Sequence, residues 1–306
     1  MSIALIATGG TIACTTQEDG SLIPTVSGHH LADDLRKSTL ERVPDFEVIE
    51  FRALDSSSIT LRDLDDLLAT VHAQLARPDI EGIIITHGTD SMEETAMALE
   101  LFHPGTKPVV LTGAQRSFDH PNPDGQRNLR DALALTLSGH TGVYIQFGGM
   151  TIPARGARKN HTAHLNGFES MRVAPPVLGP LPLAALAEHP VAIISAYPGA
   201  EATLVDASLP HFSGLVIEAM GSGNVGEEMG TAVARALDRG VAVVISTRVP
   251  YGSTTLAYGG AGGGATLGDK GAVHAHGLRP GQARIMLAAA LATGTPVADM
   301  FATTGG

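Results

Sequence analysis

The sequence contains no tryptophan, and aromatic residues make up only 4% of it. Little is left from which to build a base-stacking surface or an aromatic-lined sugar site. Cys14 is the single cysteine, so no intrachain disulfide can form and a thiolate metal cluster is excluded. No histidine or lysine flanks it to lower its pKa, and it reads as a small buried residue just past a turn rather than as a nucleophile. Lysine and arginine number 20 against 31 acidic residues, a formal net charge of −11, with no basic block. Such a chain offers no field to attract phosphate backbones, so nucleic acid is not an expected partner. No apolar run approaches membrane-spanning length, and the chain enters its first strand without a charged and then apolar leader. The expectation is a soluble, cytoplasmic protein with no membrane partner.

What is present is a large supply of core-forming residues: 43% of the 306 positions are hydrophobic and 17% are charged. That length exceeds the roughly 250–300 residues at which one core stops growing, so two domains are expected. Apolar β-branched runs predict strands at 3–7, 47–53, 82–86, 108–112 and 142–147, and helical spacing predicts helices at 61–75, 91–102 and 127–138. Alternation of this kind defines a doubly wound α/β domain. Val173 to Pro182 holds four prolines and reads as a linker. Beyond it, strands at 191–195, 214–219 and 241–246 alternate with helices near 198–208, 227–238 and 280–293. The fold expected is α/β, with a larger N-terminal doubly wound domain over residues 1–180 and a smaller C-terminal α/β domain over 186–306. The glycine run 259–264 reads as a flexible loop, and it lacks the Gly-Lys-Ser/Thr ending of a phosphate loop.

Two threonine motifs sit where chemistry is expected. Thr8-Gly9-Gly10-Thr11-Ile12-Ala13 follows the first strand, and Thr86-His87-Gly88-Thr89-Asp90-Ser91-Met92-Glu93-Glu94 follows the third. Open α/β sheets bind ligands at the carboxyl ends of their strands, so the two loops could face one pocket. Ser91 with Glu94 matches a capping box that would start the next helix. Each hydroxyl also has a plainer reading, as a turn residue satisfying its own loop. Lys159 could be a solvated loop charge, Ser56 to Ser58 a polar turn before the helix at Leu61, and His87 a residue bonded within its turn. His161 and His164 are three apart but lack a third ligand at matching spacing, so no metal site is expected. The Gly9-Gly10-Thr11 turn lacks the third glycine of a dinucleotide site.

In this order and spacing the motifs resemble the signatures of the bacterial-type L-asparaginases. Asp55-Ser56-Ser57-Ser58, Leu111-Thr112-Gly113-Ala114-Gln115-Arg116, Arg155-Gly156-Ala157-Arg158-Lys159 and Gly221-Ser222-Gly223-Asn224 extend the resemblance over most of the chain. It implies an amidohydrolase that converts L-asparagine to L-aspartate and ammonia, with L-glutamine as a candidate second substrate, and without metal or cofactor. By that resemblance Thr11 is the nucleophile, while Thr89, Lys159 and Asp90 form a triad-like relay. Asp90 would bind the substrate α-ammonium and Ser56 and Ser57 its α-carboxylate. The resemblance also implies a homotetramer, a dimer of dimers, in which the partner's segments near 221–224 and 251–264 complete each site.

Four positions depart from that pattern. The loop from about Thr15 to His30 matches the family's mobile lid, but Pro24 stands where a tyrosine precedes the Thr-Val pair, here Thr25-Val26. Ser57 replaces a glutamine, and the subunit-bridging asparagine and glutamate correspond to Arg239 and Gly259. Tyr258, beside the glycine run, is the candidate to approach Thr11 from a neighbouring subunit. The alternatives are an asparagine- or aspartate-binding protein with weak turnover and a glutaminase-asparaginase. A transfer-RNA amidotransferase component is disfavoured, because that homologue carries an extra region before the first motif.

Overall fold

The computed structural model describes residues 2–38, 43–171, 173, 176–255 and 257–303. The chain divides into two compact units, Met1–Ser170 and Met171–Gly306. The first contains β1 (Ser2–Gly9), β2 (Cys14–Thr16), β3 (Leu22–Pro24), α1 (Gly28–Ser38), β4 (Asp45–Leu54), α2 (Leu61–Leu75), β5 (Ile80–Thr86), α3 (Met92–Phe102), β6 (Pro108–Thr112), α4 (Gly125–Thr136), β7 (Gly142–Phe147), β8 (Met150–Pro153), β9 (Ala157–Lys159) and β10 (Phe168–Ser170).

Six strands form the main sheet in the order β4-β1-β5-β6-β7-β8. All its pairings are parallel except β7 with β8. Ile3, Leu5, Ile84 and Val110 meet Leu31, Ala32 and Leu35 of α1 and Leu129, Ala132 and Leu133 of α4 in one buried cluster. Burying each large aliphatic side chain there contributes about 1.5–3 kcal/mol. α2 packs on β5 and against α3. From β1 the chain crosses outward to β4, returns past β1 to β5, and then winds the other way through β6 and β7. The winding therefore reverses between the neighbours β1 and β5, at a topological switch point.

The second unit holds a parallel sheet in the order β11-β12-β13-β14, from β11 (Val191–Ser195), β12 (Gly214–Ala219), β13 (Ala242–Thr247) and β14 (Val273–His274). Its helices are α5 (Thr203–Ser208), α6 (Glu227–Asp238), α7 (Gly264–Asp269), α8 (Pro280–Thr293) and α9 (Val297–Phe301). The α/β class and the larger and smaller parts agree with the expectation. Pro176 bridges to Thr303, and Val177 donates its N–H to the Ala302 carbonyl at 3.3 Å. Pro176 and Val177 thus pair within the second unit, which begins at residue 171, while residues 174 and 175 of the proline-rich stretch lie outside the described residues.

The glycine run is not the loose loop its composition suggests. A Cβ on Gly230 would lie 2.2 Å from the Ala261 carbonyl, and one on Gly262 would lie 2.2 Å from that of Val225. Glycine there permits main chain to press on main chain, and Val225 donates to Gly262 at 2.9 Å. Ser222 accepts from Thr255 at 2.8 Å and Asn224 Oδ1 from Gly264 at 3.4 Å, so segments 221–224 and 251–264 are joined within this unit.

Candidate active site

Three consecutive carboxyl ends of the main sheet, those of β4, β1 and β5, release the chain into one cavity of about 350 Å³. Thr11, Ser56, Thr89, Asp90 and Lys159 all line it, each contributed by a loop or strand of the first unit. Glycine makes the approach of the first two loops possible. Gly10 has φ +79°, and a Cβ on it would lie 2.3 Å from the Gly88 nitrogen, while a Cβ on Gly88 would lie 2.4 Å from Ser56 Oγ. Any side chain at either position would drive the Thr11, Ser56 and Thr89 loops apart. The β1 loop is further fixed by Thr8, whose hydroxyl donates to the Thr86 carbonyl at 2.9 Å.

Thr11 is half-buried at the start of a 3-10 turn whose other residues, Ile12 and Ala13, are buried. The second motif carries the polar network. Lys159 Nζ donates to Thr89 Oγ1 at 2.7 Å and lies 2.8 Å from Asp90 Oδ1. Ser56 Oγ accepts the Asp90 N–H at 3.2 Å. Ser91 does not cap α3 as the Ser-x-x-Glu pattern predicts: its hydroxyl donates to the Ser56 carbonyl at 2.6 Å, binding the two loops together. A reciprocal capping box occurs instead at Thr60 and Asp63 on α2.

Ser57 departs from its expected place. Residues 56–58 form a 3-10 turn, in which successive side chains rotate by about 120°. Ser56 is buried on the cavity side, whereas Ser57 is exposed and absent from the lining. Asp55 and Gln115 do line the cavity, although neither has a role that sequence alone suggests. Gln115 Nε2 donates to the His164 carbonyl at 3.1 Å, which ties down the 160–167 loop and with it Thr162, another lining residue. Within that loop the His161 and His164 rings stack at 3.4 Å, and His161 Nδ1 accepts the Ala163 and His164 N–H groups at 3.0 and 3.1 Å. Among the described residues no group of three or more histidine, cysteine, aspartate or glutamate side chains could hold a metal ion.

The lid segment is a hairpin of β2 and β3 with Leu22 and Pro24 on the cavity. Asp119 holds its base by accepting the Thr16 N–H at 2.8 Å. Cys14 also lines the cavity; burial first, then Asp55 and Asp119, push its thiol up, away from the reactive thiolate. His87 is fully buried, bonded to Gly88 O at 2.7 Å and Thr95 Oγ1 at 3.0 Å. Burial lowers its pKa to about 4, leaving a neutral structural imidazole at physiological pH. Tyr258 lies in the second unit and is 60% exposed.

A strand-end cavity lined by hydroxyls, two carboxylates and a lysine is equipment that a hydrolase can use. Residues 2–179 match the family model described as asparaginase, N-terminal, and residues 190–301 match the glutaminase/asparaginase C-terminal domain. The chain belongs to the asparaginase family, and its class is that of hydrolases acting on amide C–N bonds. It is 33% identical to a probable L-asparaginase of Deinococcus radiodurans over 97% of this chain and 95% of that protein. It is 30% identical to a glutamyl-tRNA(Gln) amidotransferase component of Methanopyrus kandleri, over 83% of this chain and 63% of that protein. The thermostable L-asparaginase from Thermococcus kodakarensis superposes with a TM-score of 0.83 at 26% identity, covering 99% of this chain and 98% of that one. Among the described residues no helix is long and apolar enough to cross a membrane.

Proposed function

We propose that this enzyme hydrolyses L-asparagine to L-aspartate and ammonia through a β-aspartyl ester on Thr11. The observation that carries the reading is Lys159, whose Nζ reaches both Thr89 Oγ1 at 2.7 Å and Asp90 Oδ1 at 2.8 Å on the cavity that Thr11 lines. A threonine hydroxyl is a weak nucleophile and needs a proton route, and a lysine between a hydroxyl and a carboxylate provides one. Thr11 Oγ attacks the amide carbon and ammonia leaves with the transferred proton. Water then opens the ester: its oxygen bonds the acyl carbon, the C–O bond to Thr11 breaks, and the proton it gives up passes by way of the Thr89, Lys159 and Asp90 chain to Thr11 Oγ, restoring the hydroxyl. A carboxylate has acceptor sites on two oxygens, so Asp90 can hold Lys159 with one and receive the substrate α-ammonium with the other. Ser56 takes the α-carboxylate; the exposure of Ser57 argues against an equal share for it.

Pro24 on the cavity wall favours keeping a second reading, an asparagine- or aspartate-binding protein with weak turnover, because proline offers no phenol to the nucleophile. We assign the missing group to Tyr258 of a neighbouring copy in a homotetramer built as a dimer of dimers, working in the cytoplasm. Ammonia release by the purified protein decides among the readings. Turnover of L-asparagine well above that of L-glutamine is expected. Tight L-aspartate binding without ammonia release would leave the binding protein, and faster release from L-glutamine would make the enzyme a glutaminase.

A further inference from the structure

The side-chain bonds of Lys159 define where its Nζ ends, but its reach also depends on where the main chain is held. Lys159 closes β9, which among the described residues pairs only with β10, in a two-stranded ribbon separate from the main sheet. Its N–H is directed to α3, where it donates to Glu93 Oε2 at 2.6 Å. Glu93 lies in the first turn of α3, three residues after Asp90 and four after Thr89. One short stretch of chain therefore presents both partners of the lysine ammonium and also grips the lysine backbone. We propose that Glu93 is a positioning residue, whose carboxylate sets the distance from Lys159 Nζ to Thr89 and Asp90 through the Lys159 N–H. This rests on the relay proposed above.

The charges around Glu93 make the grip sensitive to pH. Burial, then the neighbouring carboxylate of Glu94 on the same helix, raise Glu93 to about 7, against the Lys159 N–H bond and the charges of Arg158 and Lys159 on β9. Arg158 is shared with Glu169 of β10, so it does not belong to Glu93 alone. Two turns along α3, Glu100 is matched with Arg155. An ionised carboxylate is the stronger acceptor for an N–H, so protonation loosens the hold on Lys159. Catalysis should weaken as pH falls below neutrality, while binding of L-aspartate should change little.

Glu93→Gln tests this, because the amide keeps an oxygen acceptor in the same volume but does not titrate. In pH profiles of asparagine turnover, the wild type should show an acid limb in kcat near pH 7. The variant should lose that limb and run about tenfold slower above it, less than the roughly two to four decades that loss of a proton carrier itself costs, with KM changed less than about twofold. A wild-type acid limb retained unchanged in Glu93→Gln, or an unaltered kcat, overturns the proposal. Hydrogen exchange at the Lys159 amide reads the contact without substrate: exchange in Glu93→Ala should be at least about tenfold faster, and unchanged exchange overturns the proposal too. A wild type that releases no ammonia from either amide would refute the relay, while the exchange experiment would still decide the Glu93 contact.

Discussion

Replacing Lys159 by methionine removes one ammonium and leaves a side chain of similar length in its place. The structure assigns that ammonium two contacts, at 2.7 Å to the Thr89 hydroxyl and 2.8 Å to the Asp90 carboxylate. Their contribution to folding is small. The Asp90 side chain is 59% exposed and that of Lys159 19%, so water screens the pair, which contributes no more than about 1 kcal/mol. For a unit of this size that shifts Tm by about 2–4 °C at most. The effect on catalysis is larger, since loss of a positioned proton carrier costs about two to four decades in rate, or about 3–5 kcal/mol of barrier. Lys159→Met should therefore lower kcat for L-asparagine at least a hundredfold with a near-native Tm. It should still bind L-aspartate, because Asp90 and Ser56 remain. Ammonia release, thermal unfolding and calorimetry on one preparation test all three parts. Full activity in the folded variant would refute the relay and return Lys159 to a loop charge.

Asp90→Asn should weaken L-aspartate binding by about tenfold in calorimetry, the difference between a charge-assisted and a neutral hydrogen bond, and unchanged affinity would remove Asp90 from the ammonium site. The buried His87 should make the fold acid-sensitive. Its folded value of about 4 lies below the ordinary 6.5, so the stability it contributes is present above pH 6.5 and lost as pH falls toward 4. Urea unfolding should show a loss on the order of 3 kcal/mol across that window, absent from a folded His87→Gln variant, and parallel pH profiles would contradict it. Tyr258→Phe should lower kcat for L-asparagine by about tenfold or more with modest change in KM, and an unchanged kcat would make Tyr258 a packing residue.

Periodicity made the main sheet legible: Ile83-Ile84-Ile85 and Val109-Val110-Leu111 are short apolar runs ended by threonine, and they form β5 and β6. The edges were harder to read. α1 begins inside the segment that resembles a lid, because Gly28-His29-His30 hides the Leu31, Ala32 and Leu35 stripe that packs on the sheet. The proline-rich stretch reads as a linker by composition, yet Pro176 and Val177 find partners near the other end of the second unit, at Thr303 and Ala302, through pairing that no local rule supplies. Ser91 and Thr60 both precede a helix with an acidic residue three positions on, and only tertiary context separates them. Ser56 captures the Ser91 hydroxyl, while Thr60 is left to cap α2.

Within the site, the motifs located Thr11, Thr89, Asp90 and Ser56 on the cavity wall, and the resemblance supplied Lys159. Ser57 could not be separated from Ser56 by sequence, since the direction of each hydroxyl depends on the phase of a 3-10 turn. The part played by Gly10 and Gly88 was equally hidden: both look like turn glycines, and each is required by a backbone or side chain passing within van der Waals distance. Glu93 stands inside the second motif without a visible role, because its partner is a main-chain N–H 66 residues away.

The central claim is that the Thr11 hydroxyl forms the bond to substrate, and it is tested by ammonia release from L-asparagine in the wild type and Thr11→Ala at matched folding. The wild type should turn over steadily, and the variant should fall by about three decades or more, as expected when a nucleophile is lost. Near-normal ammonia release from folded Thr11→Ala would contradict the claim and move the nucleophile elsewhere on the cavity wall.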